Sequence, residues 1–416
     1  MGSETSSERL AAADALEAAQ VAARVRAMAP GGASVSGIVA EIVAAVRIRG
    51  DSALHEYVER FDRTEGPLSA TAADLDEALR GLDAAVRDGL RTAIENVRTV
   101  AESGISPDHA VELPQGQRVT VREVPVRRVA IYVPGGRAPY PSTVVMGVVT
   151  ARAAGVEEVV VAGPGAHPVI LGACALCGAD EVLRMGGAHA IAALAYGTES
   201  IERVDVIAGP GSLYVQEAKR LVSGDVGIDG FYGPSDVCVV ASAGADPELV
   251  ALDLLAQAEH GEGTIVCACS DDAPLLDTVA ERIDAHGTGD AVAAVVQVAD
   301  MEGGLAFAEA FAPEHLELAG AAAEALAPRV RSAGCVFVGT ESGVAFGDYV
   351  AGSNHSLPTG GAARFASGLS VGAFRRRMTE VRVRGAATEL ARAAAPIARA
   401  EGFSVHAASM EVRENG

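Results

Sequence analysis

Two polar residues one helical turn apart, Gln257 and His260, are side chains that could bind a metal ion. A helix is expected to begin at Asp246 and Pro247 and to stop at Gly261, which puts both residues on its last turn. Residues three apart share a helix face, so an amide oxygen and an imidazole nitrogen could contact one ion. A surface helix end explains the pattern as well, because the helix dipole favours histidine there. The spacing alone leaves both interpretations open.

A second candidate is the adjacent pair Glu314 and His315, a carboxylate beside an imidazole directly after Pro313. Consecutive residues point in different directions. The two side chains would therefore act as separate proton-transfer groups rather than as one hydrogen-bonded dyad. The alternative is an exposed helix start, which the pair taken in isolation favours.

A third candidate is the polar, glycine-rich segment at residues 347–359, which follows a predicted strand. Segments of this kind shape binding sites in α/β folds. Its Asp348 could be a metal ligand, or a turn residue that bonds its own backbone. The segment itself does not decide between these two roles.

Glycine-rich turns follow several predicted strands, but the sequence lacks the G-x-G-x-x-G fingerprint of dinucleotide-binding folds. Backbone amides in such turns can bind phosphate groups, although tight packing of a turn explains each one equally well. The turns lie at residues 134–136, 163–165, 186–187 and 209–211.

The composition limits the class of protein that these residues serve. The chain has 416 residues, with 33 basic and 55 acidic side chains and a net charge of −22, and Lys219 is its single lysine. This balance argues against a nucleic-acid-binding surface and favours small ligands. We find no apolar run long enough to span a bilayer and no secretory signal layout, so we expect a soluble protein without membrane contact. Six cysteines are too sparse for a disulfide framework, which predicts reduced thiols and a cytoplasmic location.

The pattern of apolar residues predicts the elements that position the candidates. Residues 8–28 and most of the first hundred residues read as helices, whereas strands and helices alternate from about residue 119. Alternation of this kind predicts an α/β fold: two related, incomplete Rossmann-like doubly wound modules with parallel sheets, a helical N-terminal segment and a helical C-terminal tail. The expected divisions are a segment at 1–30, a first module at 31–127 plus 234–369, a second module at 128–233 and a tail at 370–416.

Several longer motifs together resemble the histidinol dehydrogenase family, in the same order from about residue 37 to about residue 410. Several long motifs in register are specific, so the resemblance outweighs the structural alternatives given above. The motifs are Tyr132–Ser142, Ala208–Gly211, Glu217–Arg220, Gly233–Asp236, Asp253–His260, Ala312–Leu316 and Gly347–Thr359.

The resemblance implies a zinc-dependent, NAD-linked dehydrogenase that oxidises L-histidinol through L-histidinaldehyde to L-histidine with two NAD. One zinc ion per subunit would be bound by Gln257, His260, Asp348 and His406. The zinc would orient the substrate through its imidazole and amino groups.

The resemblance also assigns separate catalytic roles to the adjacent pair. His315 would take the alcohol proton, and Glu314 would activate the water that hydrates the aldehyde. Ser235 and Glu401 would contact the substrate together with His315 and the metal ligands. Glu401 and His406 would come from the neighbouring subunit, which implies a homodimer with a swapped C-terminal tail.

The cofactor is expected at the loops near Tyr132, His189 and Ser212, where the sequence also departs from the family. His189 replaces an expected Gln, Ser212 an expected Asn, and Asp236 an expected Glu. These departures motivate one alternative, a paralogue that oxidises a different small amino alcohol or polar alcohol. Another alternative is a non-catalytic zinc-binding homologue, although such a protein has no chemical need for Glu314 and His315.

Overall fold

The structure, a computed structural model, describes residues 7–29, 35–62, 66–135, 138–165, 167–230 and 232–414. The chain divides into two compact units, the first formed by residues 1–103 and 127–374 and the second by residues 104–126 and 375–416. The expected α/β class with parallel sheets is confirmed. The domain boundaries drawn from the sequence stay a prediction.

The described strands are β1 Glu8–Ala12, β2 His109–Glu112, β3 Arg118–Pro125, β4 Arg128–Tyr132, β5 Glu158–Ala162, β6 Glu181–Leu183, β7 Val206–Ala208, β8 Gly227–Ile228, β9 Asp236–Ala241, β10 Ile265–Ser270, β11 Val292–Val298, β12 His315–Ala319, β13 Cys335–Val338 and β14 Arg375–Arg382.

The described α-helices are α1 Ala15–Met28, α2 Ser36–Arg49, α3 Asp51–Tyr57, α4 Ala72–Gly81, α5 Ala84–Ser103, α6 Pro141–Val144, α7 Thr150–Ala153, α8 Pro168–Cys177, α9 Gly187–Tyr196, α10 Leu213–Val222, α11 Pro247–Ala258, α12 Ala273–His286, α13 Met301–Phe311, α14 Ala321–Glu324, α15 Ala345–Tyr349, α16 Ala387–Ala400 and α17 Ser404–Glu411. Single π-helical turns lie at Val58–Asp62 and Val145–Val149, and 3-10 turns at Ala327–Arg329, Ala362–Arg364, Val371–Phe374 and Arg384–Ala386.

The first unit contains a parallel sheet in the order β1-β11-β10-β9-β12-β13. Its central strands are almost continuous runs of valine, alanine and cysteine, and both of their faces are buried. Such runs are typical of parallel strands that helices cover on both sides. The strand β9 begins at Asp236 and β12 begins at His315, so both bring candidate residues to the same sheet.

The N-terminal part of this sheet corrects one expectation. Residues 8–12 were predicted to be helical, but they form the edge strand β1, which pairs with β11. The helix α1 begins only after Asp14, whose side chain accepts hydrogen bonds from the backbone N–H groups of Leu16 and Glu17. The alanine-rich composition hid a five-residue strand whose partner lies nearly 300 residues away in the sequence.

A second parallel sheet of the first unit has the order β6-β5-β4-β7-β8. Its strands end at the glycine-rich turns that the sequence analysis singled out. Gly136 and the neighbouring Arg137, in one of these turns, lie outside the described residues. Pro30, Gly31 and Gly32, before which the N-terminal helix was predicted to end, lie outside the described residues too.

The second unit consists of an antiparallel sheet in the order β14-β3-β2 and the helices α16 and α17. The tail was expected to be helical throughout, and β14 is the part where this expectation is wrong. Its residues are mostly exposed and arginine-rich, so the strand lacks the alternation of buried and exposed residues that usually indicates one. Among the described helices of the chain, none is long and apolar enough to cross a membrane.

Candidate active site

The helix α11 carries Gln257 on its last turn as the sequence predicts, whereas His260 lies in the turn that follows the end of the helix at Ala258. The side chain of Asp246 accepts a hydrogen bond from the Glu248 N–H at its start, and Gly261 follows its end with a φ of 88°. Gln257 is buried on the last turn, and the N–H of His260 donates to the Gln257 carbonyl at 3.1 Å. Gln257 is therefore directed into the protein, whereas His260, just after the same helix end, keeps part of its surface exposed to solvent.

A chain of hydrogen bonds leads from this helix to the carboxylate of Glu314. The amide nitrogen of Gln257 donates to the Ser235 hydroxyl, which in turn donates to Glu314. The backbone N–H of Asp236 also donates to Glu314 Oε2, at 3.1 Å. Because Glu314 is only 6% exposed, its charged form depends on the neighbouring imidazole of His315 and on these two donors.

The alternative interpretation of Glu314 and His315 as an exposed helix start is wrong. His315 begins β12 and is 2% exposed. Its Nδ1 is 3.6 Å from Glu314 Oε2, and its Nε2 is 3.6 Å from Asp348 Oδ1. These separations exceed a normal hydrogen bond, so the imidazole lies between two carboxylates without being tied to either.

Burial and neighbouring charges shift the pKa values of Glu314, His315 and Asp348 in opposite directions. Burial raises the pKa of Glu314 to about 7. Burial alone would lower the pKa of His315, but the carboxylates of Glu314 and Asp348 outweigh it and raise that pKa to about 9. For Asp348, burial acts to raise the pKa, and the nearby imidazole of His315 outweighs it and keeps the pKa below its usual value. The pKa values of Glu314 and His315 are therefore both raised, so each side chain is a stronger base than its ordinary counterpart.

Asp348 lies on the short helix α15, which contacts β13. A Cβ on the neighbouring Gly347 would lie 2.5 Å from the Phe337 ring, so only glycine permits this close approach. The backbone carbonyl of Asp348 is 3.1 Å from Nδ1 of His355, and His355 Nε2 is 3.4 Å from Thr143 Oγ1. The polar segment at 347–359 therefore contributes His355 to this region as well as Asp348.

Two residues of this region were not predicted, His355 and Arg26. His355 lies inside the polar segment, so its position was an available signal. Arg26 lies on α1 and forms an ion pair with Asp236. Nothing in the alanine-rich sequence around Arg26 indicates that contact.

Gln257, His260 and Asp348 supply oxygen and nitrogen donors of the kinds that zinc binds. Burial lowers the pKa of His260, which favours the neutral imidazole that a metal requires. Within the described residues, no cluster of three His, Cys, Asp or Glu side chains is arranged to hold a metal. His260, Asp348 and the amide of Gln257 would therefore bind a metal ion only together with further ligands.

The other predicted ligand, His406, and the predicted substrate contact Glu401 belong to the second unit. His406 lies on α17, and Glu401 follows the end of α16. Both are exposed, and the ring centroids of His406 and Phe403 are 5.2 Å apart.

The three predicted cofactor residues lie at the end of a strand of the second parallel sheet or at the start of a helix that follows one of its strands. Tyr132 ends β4, and its hydroxyl accepts a hydrogen bond from the Gly187 N–H at 3.0 Å. His189 is buried in the first turn of α9, with its Nε2 2.9 Å from Asp62 Oδ2. Ser212 precedes α10 and is exposed. Of the three side chains, only that of Ser212 is open to solvent.

The chain is similar in sequence and in structure to known proteins. A family model described as histidinol dehydrogenase matches residues 29–414. Proteins named histidinol dehydrogenase from Parasynechococcus marenigrum and Pseudomonas aeruginosa are each 42% identical, over 397 and 407 residues, and the matches cover 91% of this chain and of each relative. A crystal structure of histidinol dehydrogenase from Elizabethkingia anophelis has a TM-score of 0.91 at 29% identity and covers 98% of both chains.

Proposed function

The chain belongs to the histidinol dehydrogenase family, and we propose that it oxidises L-histidinol through L-histidinaldehyde to L-histidine with two NAD and one zinc ion per subunit. The observation that carries the proposal is the placement of His315 between the carboxylates of Glu314 and Asp348 at the carboxyl-terminal end of α11. Two successive proton transfers need two bases, and the imidazole of His315 and the carboxylate of Glu314, both with raised pKa values, can supply them.

The reaction divides into two oxidations with a hydration between them. The alcohol loses its hydroxyl proton and a hydride to become the aldehyde. Water adds to the aldehyde to give the hydrate, which loses a proton and a second hydride to become the carboxylic acid. When bound, NAD accepts the hydride of each oxidation.

His315 takes the hydroxyl proton in the first oxidation. The carboxylates of Glu314 and Asp348, each 3.6 Å from one of its ring nitrogens, stabilise the imidazolium that results. Burial of the ring, at 2% exposure, keeps bulk water from competing for the proton.

Glu314 takes a proton from the water that attacks the aldehyde. Its pKa of about 7, which burial causes, makes the carboxylate a better base than an ordinary glutamate. The Ser235 hydroxyl and the Asp236 N–H hold the carboxylate in place and keep a fraction of it ionised at neutral pH.

Gln257, His260 and Asp348, with His406, would hold the zinc. Gln257 donates to Ser235 through its amide nitrogen, a contact that does not use its carbonyl oxygen. A zinc ion held by these residues would orient the hydroxymethyl carbon of the substrate through the substrate's imidazole and amino groups.

We further propose a homodimer in which the tail reaches the partner's site, with Glu401 and His406 completing it. Exposed apolar side chains on the second unit support this, because a helical pair that exposes Ile397, Phe403 and Val405 gains stability when another surface covers them. The cofactor would bind near Tyr132, His189 and Ser212. The free thiols, most of them buried, suit the reducing conditions of the cytoplasm.

The test is the amount of NADH formed for each L-histidinol consumed by the purified, zinc-loaded protein. We expect two NADH and L-histidine as the product. Turnover of another alcohol in a substrate panel, without turnover of L-histidinol, would identify a paralogue of different specificity. Bound zinc without reduction of NAD on any alcohol would identify a non-catalytic homologue.

A further inference from the structure

Arg26, on the helix α1, holds a buried carboxylate beside the proposed water-activating group. Its guanidinium forms a two-point contact with Asp236, with Nη1 2.5 Å from Oδ2 and Nη2 3.2 Å from Oδ1. The side chain of Asp236 is 1% exposed. A carboxylate that deep is costly unless it is paired, and the guanidinium supplies a pairing of matched geometry.

The same guanidinium also fixes the turn that precedes Glu314. Arg26 Nε and Nη2 donate to the carbonyl of Phe311 at 3.0 and 2.7 Å, and Nη2 donates to the carbonyl of Ala312 at 3.1 Å. The guanidinium carbon lies 3.6 Å from the centroid of the Phe311 ring. Ala312 has a φ of 48°, a left-handed conformation that alanine rarely adopts, so the turn needs contacts of this kind to persist.

Asp236 passes this constraint to Glu314. The N–H of Glu314 donates to Asp236 Oδ1 at 2.7 Å, and the N–H of Asp236 donates to Glu314 Oε2 at 3.1 Å. The Gly360 N–H donates to the other carboxylate oxygen of Asp236 at 3.3 Å. A reciprocal pair of hydrogen bonds thus fixes both the backbone and the side chain of Glu314, and Arg26 completes it from the other side.

We propose that Arg26 and Asp236 are positioning residues that hold Glu314 where it can activate water for the aldehyde step. The inference rests on the proposed function, and it assigns to the N-terminal helix a part in the second oxidation. His315 is less affected, because its 3.4 Å approach to the Asp236 backbone carbonyl does not involve Arg26 and because Asp348 lies beside its other ring nitrogen.

The test compares Arg26→Gln with Arg24→Gln, a change on the same helix whose arginine is exposed and pairs with Glu8 at the surface. L-histidinol and L-histidinaldehyde are supplied separately, NADH is measured for each, and free aldehyde is captured with a hydrazine. In Arg26→Gln we expect kcat with the aldehyde to fall roughly ten- to hundredfold with little change in KM. Aldehyde then accumulates from L-histidinol, and the NADH formed per alcohol falls from two towards one.

Two further variants separate positioning from a loss of folding. Arg26→Lys keeps the charge but not the two-point contact and is expected to restore part of the aldehyde step. Asp236→Asn keeps an acceptor for the Glu314 N–H while it removes the charge that Arg26 needs, and we expect the same selective loss from it. A thermal melt reports whether each variant is folded. If Arg26→Gln does not fold, the aldehyde step of Asp236→Asn tests the positioning role instead.

Equal losses in both oxidations, or an Arg26→Gln protein that behaves like Arg24→Gln, would overturn the proposal. A crystal structure of Arg26→Gln tests it without any substrate, since we expect the 2.7 Å contact between Glu314 and Asp236 to lengthen or break. If the contact is unchanged, the proposal is wrong. A wild-type protein that does not oxidise L-histidinol would instead overturn the proposed function, and the crystallographic result would then still judge the positioning role.

Discussion

Lys219 and Asp229 form an ion pair in which neither side chain is exposed to solvent. The ammonium also donates to the carbonyl of Gly209 at 3.1 Å, and the second carboxylate oxygen accepts from the Gly209 N–H at 2.6 Å. The only lysine of the chain is therefore used inside the protein, where with Asp229 it fixes both sides of one glycine. A Cβ at Gly209 would lie 2.1 Å from the Tyr132 carbonyl, so the turn before Ser212 is held against β4.

Lys219→Met is expected to lower the free energy of unfolding by about 3–5 kcal/mol, because it leaves Asp229 buried without its counter-charge. The double variant Lys219→Met with Asp229→Asn removes both charges and should be less destabilised than the single one. Urea denaturation of wild type and variants measures the difference.

The neighbouring Arg220→Gln is the matched control, because Arg220 pairs with Glu217 at the surface, and we expect it to cost less than about 1 kcal/mol. Since no other lysine competes, an amine-directed reagent followed by peptide mapping reports on Lys219 alone. Rapid labelling of Lys219 in the native protein would contradict its burial.

A pair of carboxyl groups, the buried Glu317 and the half-buried Asp253, predicts a pH dependence of stability. Burial, together with the negative charge of Asp253, raises the pKa of Glu317 from 4.5 to about 8. The unfolded chain loses this proton near pH 4.5, whereas the folded protein keeps it until about pH 8. The stability that the proton provides is complete below the lower value, and it is lost as the pH rises towards the higher one.

Glu317→Gln removes this titration, so its free energy of unfolding should fall less between pH 5 and 8 than that of wild type. Urea denaturation at the two pH values measures the change in slope. Glu341→Gln, at an exposed position, is the control and should keep the wild-type slope. Identical slopes for all three proteins would show that Glu317 is already ionised at pH 5.

His260→Ala tests the proposed zinc site. Loss of one nitrogen ligand is expected to weaken zinc binding by more than about a hundredfold. Metal analysis after exhaustive dialysis should find zinc in wild type and little in the variant. His286→Ala, which changes an exposed histidine at the end of α12, should retain the metal. Equal zinc in the two variants would exclude His260 as a ligand.

The parts of the fold that the sequence predicted are those specified by local patterns. Asp246 caps the start of α11 as expected because capping residues act on their own helix, and the helix ends at Ala258, shortly before Gly261. Most of the parallel strands lie where apolar runs predicted them, although β12 was not predicted. The strand β1 was not predicted either, because only its pairing with β11 distinguishes it from the helix that follows.

Individual motifs did not decide which residues form the site, because the contacts that build it join residues far apart in the sequence. The contact between Arg26 and Asp236 joins residues 210 positions apart, which no local pattern predicts. His189 was expected to contact the cofactor, yet its near neighbour is Asp62, 127 positions away. A carboxylate within hydrogen-bonding distance gives this histidine a partner inside the protein, and its contact with the cofactor stays a prediction.

The proposed swap of the tail between subunits can be tested by complementation between two inactive variants. Glu314→Gln disables one end of the proposed site and His406→Ala the other, so each chain alone should form inactive homodimers. If the tail crosses between subunits, a mixed dimer has one site with both defects and one with neither. Random association of equal amounts puts about half of the chains in mixed dimers, so about a quarter of the wild-type activity should return.

A tail that completes its own chain's site predicts no recovery, because every site then carries one defect whichever chains associate. A chain with both substitutions, mixed with the His406→Ala chain, is the matched control, since no arrangement of these two chains produces an intact site. Size-exclusion chromatography confirms that the mixtures are dimeric. Recovery in the first mixture alone would assign His406 to the partner's site, because free exchange of subunits supplies no other route to a site with both residues.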